Sequence, residues 1–159
     1  MDTRFDWMKA SPAGTHALLK LQMYINDAGL DHKMLELVKL RTSQLNGCAF
    51  CIDMHTKDAR VSGEIEQRLY LLEAWREATH LYSEKEQAAL AWTEAVTNVQ
   101  DGHVPEAVFA RARAQFGEVE LVTLTLAISS TNSWNRLNVA FRKAAGDYQP
   151  GMFKQASAA

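Results

Sequence analysis

Apolar residues recur every three or four positions along most of this chain, which is the period of an amphipathic α-helix. The first such stretch begins after Ser11-Pro12, because proline suits a first helical turn, and Gly29 ends it. Its apolar positions are Leu18, Leu21, Tyr24, Ile25 and Ala28. The pattern therefore predicts a helix over about 12–28.

The same period, together with turn residues, predicts the remaining elements. Asp31 is a candidate cap, Asn46-Gly47 is a helix break, and Ser83 with Glu86 has the spacing of a capping box. We expect helices over about 31–45, 48–61, 64–74, 83–96, 104–117 and 118–145. The fold class predicted is all-α, a single-domain bundle of about six to seven helices.

The last predicted helix has two unlike halves. Its first half, 121–128, is apolar on nearly every side, which predicts burial in the core or in a subunit interface. Its second half is polar, and Asn135 and Asn138 share one face at three-residue spacing. These amides are expected to fix helix packing by buried hydrogen bonds, or to line a pocket.

Composition limits the function classes. A chain of 159 residues fits one domain, here 1–159, with a core over about 15–145 and a loosely held tail over 146–159. The net charge of −2 gives no electrostatic reason to expect nucleic acid or an anionic membrane as partner. We find no secretory signal and no apolar run of about 18 residues, so a cytoplasmic protein is expected.

The chemistry of the chain centres on its two cysteines, Cys48 and Cys51. Gly47 breaks the preceding helix, so both thiols fall in the first turn of the next one. Unpaired backbone N–H groups and the positive end of the helix dipole favour a thiolate there. In a reducing compartment a CxxC pair indicates redox or metal chemistry more than a structural staple.

Two further residues extend this pair into a candidate site. His55 follows Cys51 by one helical turn and can take its proton or stabilise its thiolate. Glu36 lies on the preceding helix, and the break at Gly47 lets that helix fold back so that the carboxylate reaches His55. A carboxylate in that place would orient the ring and hold a proton.

Other interpretations of these residues stay open from the residues alone. Cys48 and Cys51 could be two inert helix thiols, or with His55 and one more ligand they could bind zinc, although no third cysteine is present. The pair could also act as a non-enzymatic redox sensor or assembly module. Histidines 16, 32, 80 and 103 show no ligand spacing and are expected at the surface or at caps. Four large side chains are expected in the core rather than against substrate: Met23, Tyr24, Trp75 and Trp92.

Glu36, Cys48-x-x-Cys51 and His55 together resemble the alkyl hydroperoxidase D-like proteins of the carboxymuconolactone decarboxylase family. The stretches 86–92 and 134–139 are also similar, and the likeness covers roughly residues 15–143. It implies an all-helical protein that assembles into trimers or hexamers and needs no metal or bound organic cofactor. It also implies that an external dithiol, in some members a lipoylated protein, supplies the electrons.

The resemblance also implies roles for the residues. It makes Cys51 the thiolate that attacks an organic or hydrogen peroxide, Cys48 the resolving thiol, and Glu36 with His55 the proton relay. The best-known peroxidase of the family has a second histidine just before the attacking cysteine, where this chain has Phe50. Members without CxxC act on lactones as decarboxylases, and the two cysteines argue against that activity here.

Overall fold

The computed structural model describes residues 2–153, and within that range all regular structure is helical. This described part of the chain contains eight α-helices: α1 Trp7–Ala10, α2 Pro12–Asp27, α3 His32–Leu45, α4 Ala49–Val61, α5 Glu66–Tyr70, α6 Glu84–Thr97, α7 Glu106–Gln115 and α8 Glu118–Ala140. Two short 3₁₀ helices, Leu72–Ala74 and Thr79–Leu81, lie between α5 and α6. The predicted all-α class is confirmed.

The predicted caps form where the sequence places them. The Asp31 carboxylate accepts a hydrogen bond from the Met34 N–H at 2.8 Å and begins α3. At the start of α6, Ser83 and Glu86 make both bonds of the capping box. Short polar side chains compete well for the free N–H groups of a first helical turn, so these starts could be located from sequence.

Three predicted helices differ in extent from the observed ones: α7 covers only Glu106–Gln115 of the expected 104–117, and two others differ more; the short α1 was not predicted. The helix expected over 64–74 divides into α5 and the 3₁₀ helix Leu72–Ala74. Across this stretch the buried residues Leu69, Leu72 and Trp75 repeat every three positions, which is the period of a 3₁₀ helix. Helix α8 ends at Ala140 rather than near 145. Arg142 adopts a positive φ of 56° and the Lys143 N–H donates to the Asn138 carbonyl, which is the cap geometry that glycine usually provides.

Helix α3 is the centre of the bundle and packs against α4, α6 and α8. Every residue from Met34 to Ser43 is buried, including the charged Glu36, Lys39 and Arg41. One apolar cluster joins α3 to α6, α7 and α8, and a second joins it to α4, α6 and the segment around Trp75. The buried charges of α3 must therefore find partners inside the protein.

The apolar first half of α8 is buried on one side only. Leu121, Leu124 and Ile128 lie in the core, whereas Val119 and Val122 are exposed in the single chain. Within residues 2–153 no helix has the length and apolar character needed to cross a membrane.

Candidate thiol site

The turn between α3 and α4 sets the position of both cysteines. Gly47 has a φ of +63°, the Gly47 N–H donates to the Gln44 carbonyl, and the Cys48 N–H donates to the Ser43 carbonyl. These two bonds form a Schellman motif, which requires a left-handed residue and explains the glycine. Because the turn is this tight, α4 begins at once and Cys48 becomes its N-cap.

Cys48 and Cys51 are joined by a disulfide, with a Cα–Cα distance of 5.3 Å. Both are buried, at 1% exposure each. The Cys51 N–H donates to the Cys48 sulfur at 3.3 Å, and the Asn138 side chain of α8 donates to the Cys51 sulfur at 3.4 Å. Donors aimed at the two sulfurs stabilise negative charge on them when the bond is reduced.

Glu36 and His55 meet as the sequence predicts. The His55 Nδ1 lies 3.0 Å from the Glu36 Oε2, and the Lys39 ammonium donates to the other carboxylate oxygen at 2.9 Å. Burial alone would raise the pKa of Glu36, but the hydrogen bonds and charges of His55 and Lys39 outweigh it and lower that pKa to about 2. The carboxylate is thus ionised and fixes the imidazole.

A second carboxylate, Asp58, lies beside this pair. Oxygens of Glu36 and Asp58 and a ring nitrogen of His55 all fall within 4.8 Å of one another. Burial raises the pKa of Asp58 against the opposing effect of a hydrogen bond from the Tyr148 hydroxyl. These three side chains have the donor types for a cation, but Lys39, His55 and Tyr148 already occupy the carboxylate oxygens.

A cavity of about 550 Å³ opens beside the disulfide. Cys51, His55, Glu36 and Asp58 lie in its wall, and α2 supplies one long side of it. Much of the remaining wall is apolar, with contributions from Trp7, Leu19, Met23, Met54, Trp134 and Phe153. A cavity of this size that is apolar with a few convergent polar groups suits an organic molecule.

The sequence left open whether the amides of α8 fix helix packing or line a pocket, and they do both. The Asn46 side chain donates to the Asn132 and Asn135 oxygens at 2.9 Å each, and Asn135 donates to the Ser43 hydroxyl at 3.1 Å. These bonds tie α8 to the end of α3 just before the CxxC turn. Asn135 and Asn138 also lie in the cavity wall, where Asn138 contacts Cys51.

The remaining predictions concern whether particular side chains are buried or exposed. Trp75 and Trp92 are core residues as expected, whereas Met23 and Tyr24 are exposed and Met23 lines the cavity. Histidines 16, 32, 80 and 103 are exposed as expected, and two of them, His16 and His32, lie at the cavity.

The contributors to the site that the sequence did not predict include Lys39, Asp58, the segment around Tyr148, and Trp7 of α1. The sequence predicts a loosely held tail over 146–159. In the structure, however, Tyr148 is buried at 5% exposure and its hydroxyl donates to Asp58 at 2.9 Å. Residues 154–159 of that tail lie outside the described residues. The available signal was the pair of aromatic residues Tyr148 and Phe153 in this tail, because aromatic side chains gain much from burying their large apolar surface.

The chain belongs to the carboxymuconolactone decarboxylase family, whose model matches residues 12–95. Its fold is that of alkyl hydroperoxidase D-like proteins. The crystal structure of ATU0492 from Agrobacterium tumefaciens, a protein of unknown function suggested to be the antioxidant defence protein AhpD, is similar with a TM-score of 0.88. The two share 41% identity, over 92% of this chain and 100% of that one.

Other similar proteins are less informative about chemistry. The uncharacterised YdfG of Bacillus subtilis is 41% identical over 88% of this chain and 95% of its own length. The uncharacterised YnjA of Escherichia coli is 31% identical, and the matched stretch covers 70% of this chain and 60% of that protein. The debrominase Bmp8, at 19% identity and a TM-score of 0.77 over 88% of this chain and 75% of that one, shares the fold.

Proposed function

We propose that the protein is a thiol-dependent peroxidase that reduces organic or hydrogen peroxides through a Cys48/Cys51 dithiol–disulfide cycle. The observation that supports this most is the buried Glu36–His55 pair, one helical turn from Cys51 in the wall of a cavity. A nucleophile, a base and a group that orients the base form the arrangement of an activated thiol. The family and the similar AhpD-like structure support the same class.

In the first step, His55 accepts the proton of the Cys51 thiol and the thiolate attacks one peroxide oxygen. The S–O bond forms as the O–O bond breaks, so the sulfur is oxidised by two electrons to a sulfenic acid and the peroxide is reduced. The leaving alkoxide, or hydroxide, takes the proton held on His55 and departs as an alcohol or water. Glu36 stays ionised and keeps the ring oriented throughout.

In the second step, the Cys48 thiol attacks the Cys51 sulfenic acid. A disulfide forms and water leaves, and because the two cysteines are three positions apart at the start of α4, the step is intramolecular. An external dithiol, of which a lipoylated protein is one candidate, then reduces the disulfide by exchange and is itself oxidised. The proposed setting is the cytoplasm, where such dithiols are kept reduced.

We also propose that the protein is a homo-oligomer, a trimer or a hexamer. The exposed Val119 and Val122 on the outer face of α8 give an apolar surface that a second copy would cover.

The test is peroxide consumption by the pre-reduced protein, followed together with thiol loss. The wild type is expected to lose two thiols for each peroxide consumed. Cys51→Ser should lower the rate by more than about a hundredfold, since the nucleophile is gone. Cys48→Ser should consume one peroxide and stop as a sulfenic acid.

Substitution of His55 needs a matched control, because any histidine variant could change the protein nonspecifically. His55→Ala is expected to slow the first step, whereas His80→Ala, at an exposed position in the 3₁₀ helix Thr79–Leu81, should not. If Cys51→Ser consumes peroxide as fast as the wild type, the protein is not a Cys51 peroxidase. Slow oxidation with a change in oligomer size would instead indicate a redox sensor.

A further inference from the structure

The segment 146–153, which follows α8, returns along α4 and is fastened to it by charged side chains. The Lys57 ammonium donates to the carbonyls of Gly146 at 2.9 Å and Tyr148 at 3.0 Å. The same ammonium pairs with the Asp53 carboxylate at 2.9 Å, and that carboxylate accepts the Gly146 N–H at 3.1 Å. Three backbone groups of the segment thus bind the Lys57–Asp53 ion pair, which holds the beginning of the segment on α4.

Tyr148 provides the inner attachment. Its hydroxyl donates to the two carboxylate oxygens of Asp58 at 2.9 and 3.0 Å. Burial and the neighbouring Asp58 charge both raise the pKa of Tyr148, so the hydroxyl keeps its proton and remains a donor. The ring packs edge-on against Phe50 of the CxxC motif and stacks on Phe153, with centroids 6.5 and 5.7 Å apart.

The attachment points share the face of α4 that begins at the CxxC motif. Phe50, Asp53, Lys57 and Asp58 recur at helical spacing over two turns, so the segment follows the helix that carries Cys51. Tyr148, Pro150, Gly151 and Phe153 also line the 550 Å³ cavity together with Cys51. Since Cys51 is 1% exposed, a molecule that reaches its sulfur must fit into the cavity that these residues line.

We propose that residues 146–153 form a size-selecting wall of the thiol site, and that the hydrogen bond from Tyr148 to Asp58 is its specificity-determining attachment. With the bond formed, the wall limits how bulky a reagent can be when it approaches Cys51. For peroxides this rests on the proposed function, but the restriction on access rests on the geometry alone. Loss of one half-buried hydrogen bond to a carboxylate is of the size that shifts a local opening equilibrium about tenfold.

The experiment measures access to Cys51 by alkylation. In the Cys48→Ser background Cys51 is the sole cysteine, so the rates with iodoacetamide and with the bulky N-(1-pyrenyl)maleimide report on one sulfur. Tyr148→Phe keeps the ring against Phe50 and removes only the hydroxyl. We expect it to raise the ratio of the maleimide rate to the iodoacetamide rate about tenfold.

The matched control is Tyr82→Phe. Tyr82 is also buried and its hydroxyl also donates to a protein oxygen, the Arg68 carbonyl, but it lies outside the cavity wall. The ratio should stay at its original value in this variant. Asp58→Ala should raise the ratio as Tyr148→Phe does, with no further rise in the double variant, whereas Asp58→Asn retains an acceptor oxygen and should restore most of the restriction.

An unchanged ratio in Tyr148→Phe, or an equal rise in Tyr82→Phe, would overturn the proposal. Because alkylation requires no peroxide chemistry, a selective rise supports the wall even in a protein that consumes no peroxide. Conversely, an active peroxidase with an unchanged ratio would keep the proposed function and exclude the wall.

Discussion

Glu36 is charged, buried at 4% exposure and placed on the central helix of the bundle. An unpaired carboxylate in that position would be costly, and it is tolerated because Lys39 and His55 each satisfy one of its oxygens. The residue therefore has two tasks, which are to balance the buried Lys39 ammonium and to orient the His55 ring. Its spacing from the cysteines predicted the second task but not the first.

The pKa of Glu36, about 2 in the folded protein against an ordinary 4.5, gives a prediction of pH dependence. A carboxylate whose pKa is lowered by folding stabilises the native state above its unfolded pKa. That contribution decreases as the pH falls from about 4.5 toward 2. The difference in unfolding free energy between wild type and Glu36→Gln should therefore be largest above pH 4.5 and shrink below it.

Urea unfolding at several pH values between about 2.5 and 6 measures this difference. Glu73→Gln, at an exposed position, is the control and should differ little from the wild type at every pH. A Glu36→Gln difference that stays constant across the range would show that the carboxylate is not specially stabilised in the fold.

At the scale of elements, the end of α3, the start of α4 and the buried asparagines of α8 position the thiols. The Schellman turn after α3 makes α4 begin at Cys48, and the amides of α8 hold that turn from the other side. The asparagines in the polar half of α8 thus contact the thiol site, while its apolar half packs in the core. This division explains why the buried face of α8 carries Asn132, Asn135 and Asn138.

Asn135 is fully buried and bridges Asn46 and Ser43, so its loss should weaken the junction of α3, α4 and α8. We expect Asn135→Ala to lower the free energy of unfolding by about 1–3 kcal/mol, because Ser43 and Asn46 lose a buried partner. Ser129→Ala, at an exposed position on the same helix, should change it by less than about 0.5 kcal/mol. Denaturant unfolding compares the two, and equal effects would argue against the bridge.

At the scale of the whole molecule, the cavity joins parts of the chain that are distant in sequence. Helix α2, the CxxC region, α8 and the segment 146–153 all contribute to its wall. Such a volume exceeds what hydrogen peroxide needs, and its apolar side offers binding energy only to a substrate with an organic group.

The cavity therefore predicts that kcat/KM for cumene hydroperoxide exceeds that for hydrogen peroxide by at least about tenfold. Leu19→Asn, in the cavity wall, should reduce this preference by weakening apolar binding, whereas Val99→Asn, exposed and outside the wall, should leave it unchanged. Steady-state rates with a dithiol reductant give the comparison. Equal values for both peroxides would show that the cavity does not bind the organic group.

By itself, the sequence determined the features that depend on neighbouring residues. Helical periodicity, the caps at Asp31 and Ser83 and the break at Gly47 depend on residues within one turn of each other, so α2, α3, α4 and α6 could be predicted closely. The local spacing also predicted that Glu36 would meet His55, because one tight turn joins their helices.

Only the tertiary structure decided the features that depend on distant residues. Asn138 on the Cys51 sulfur and Tyr148 on Asp58 each result from packing that brings separate helices or segments together. Arg142 ends α8 with a positive φ that local rules assign to glycine or asparagine. The sequence thus located Cys48, Cys51 and the Glu36–His55 pair, whereas packing in three dimensions determined what surrounds them and the shape of the cavity beside them.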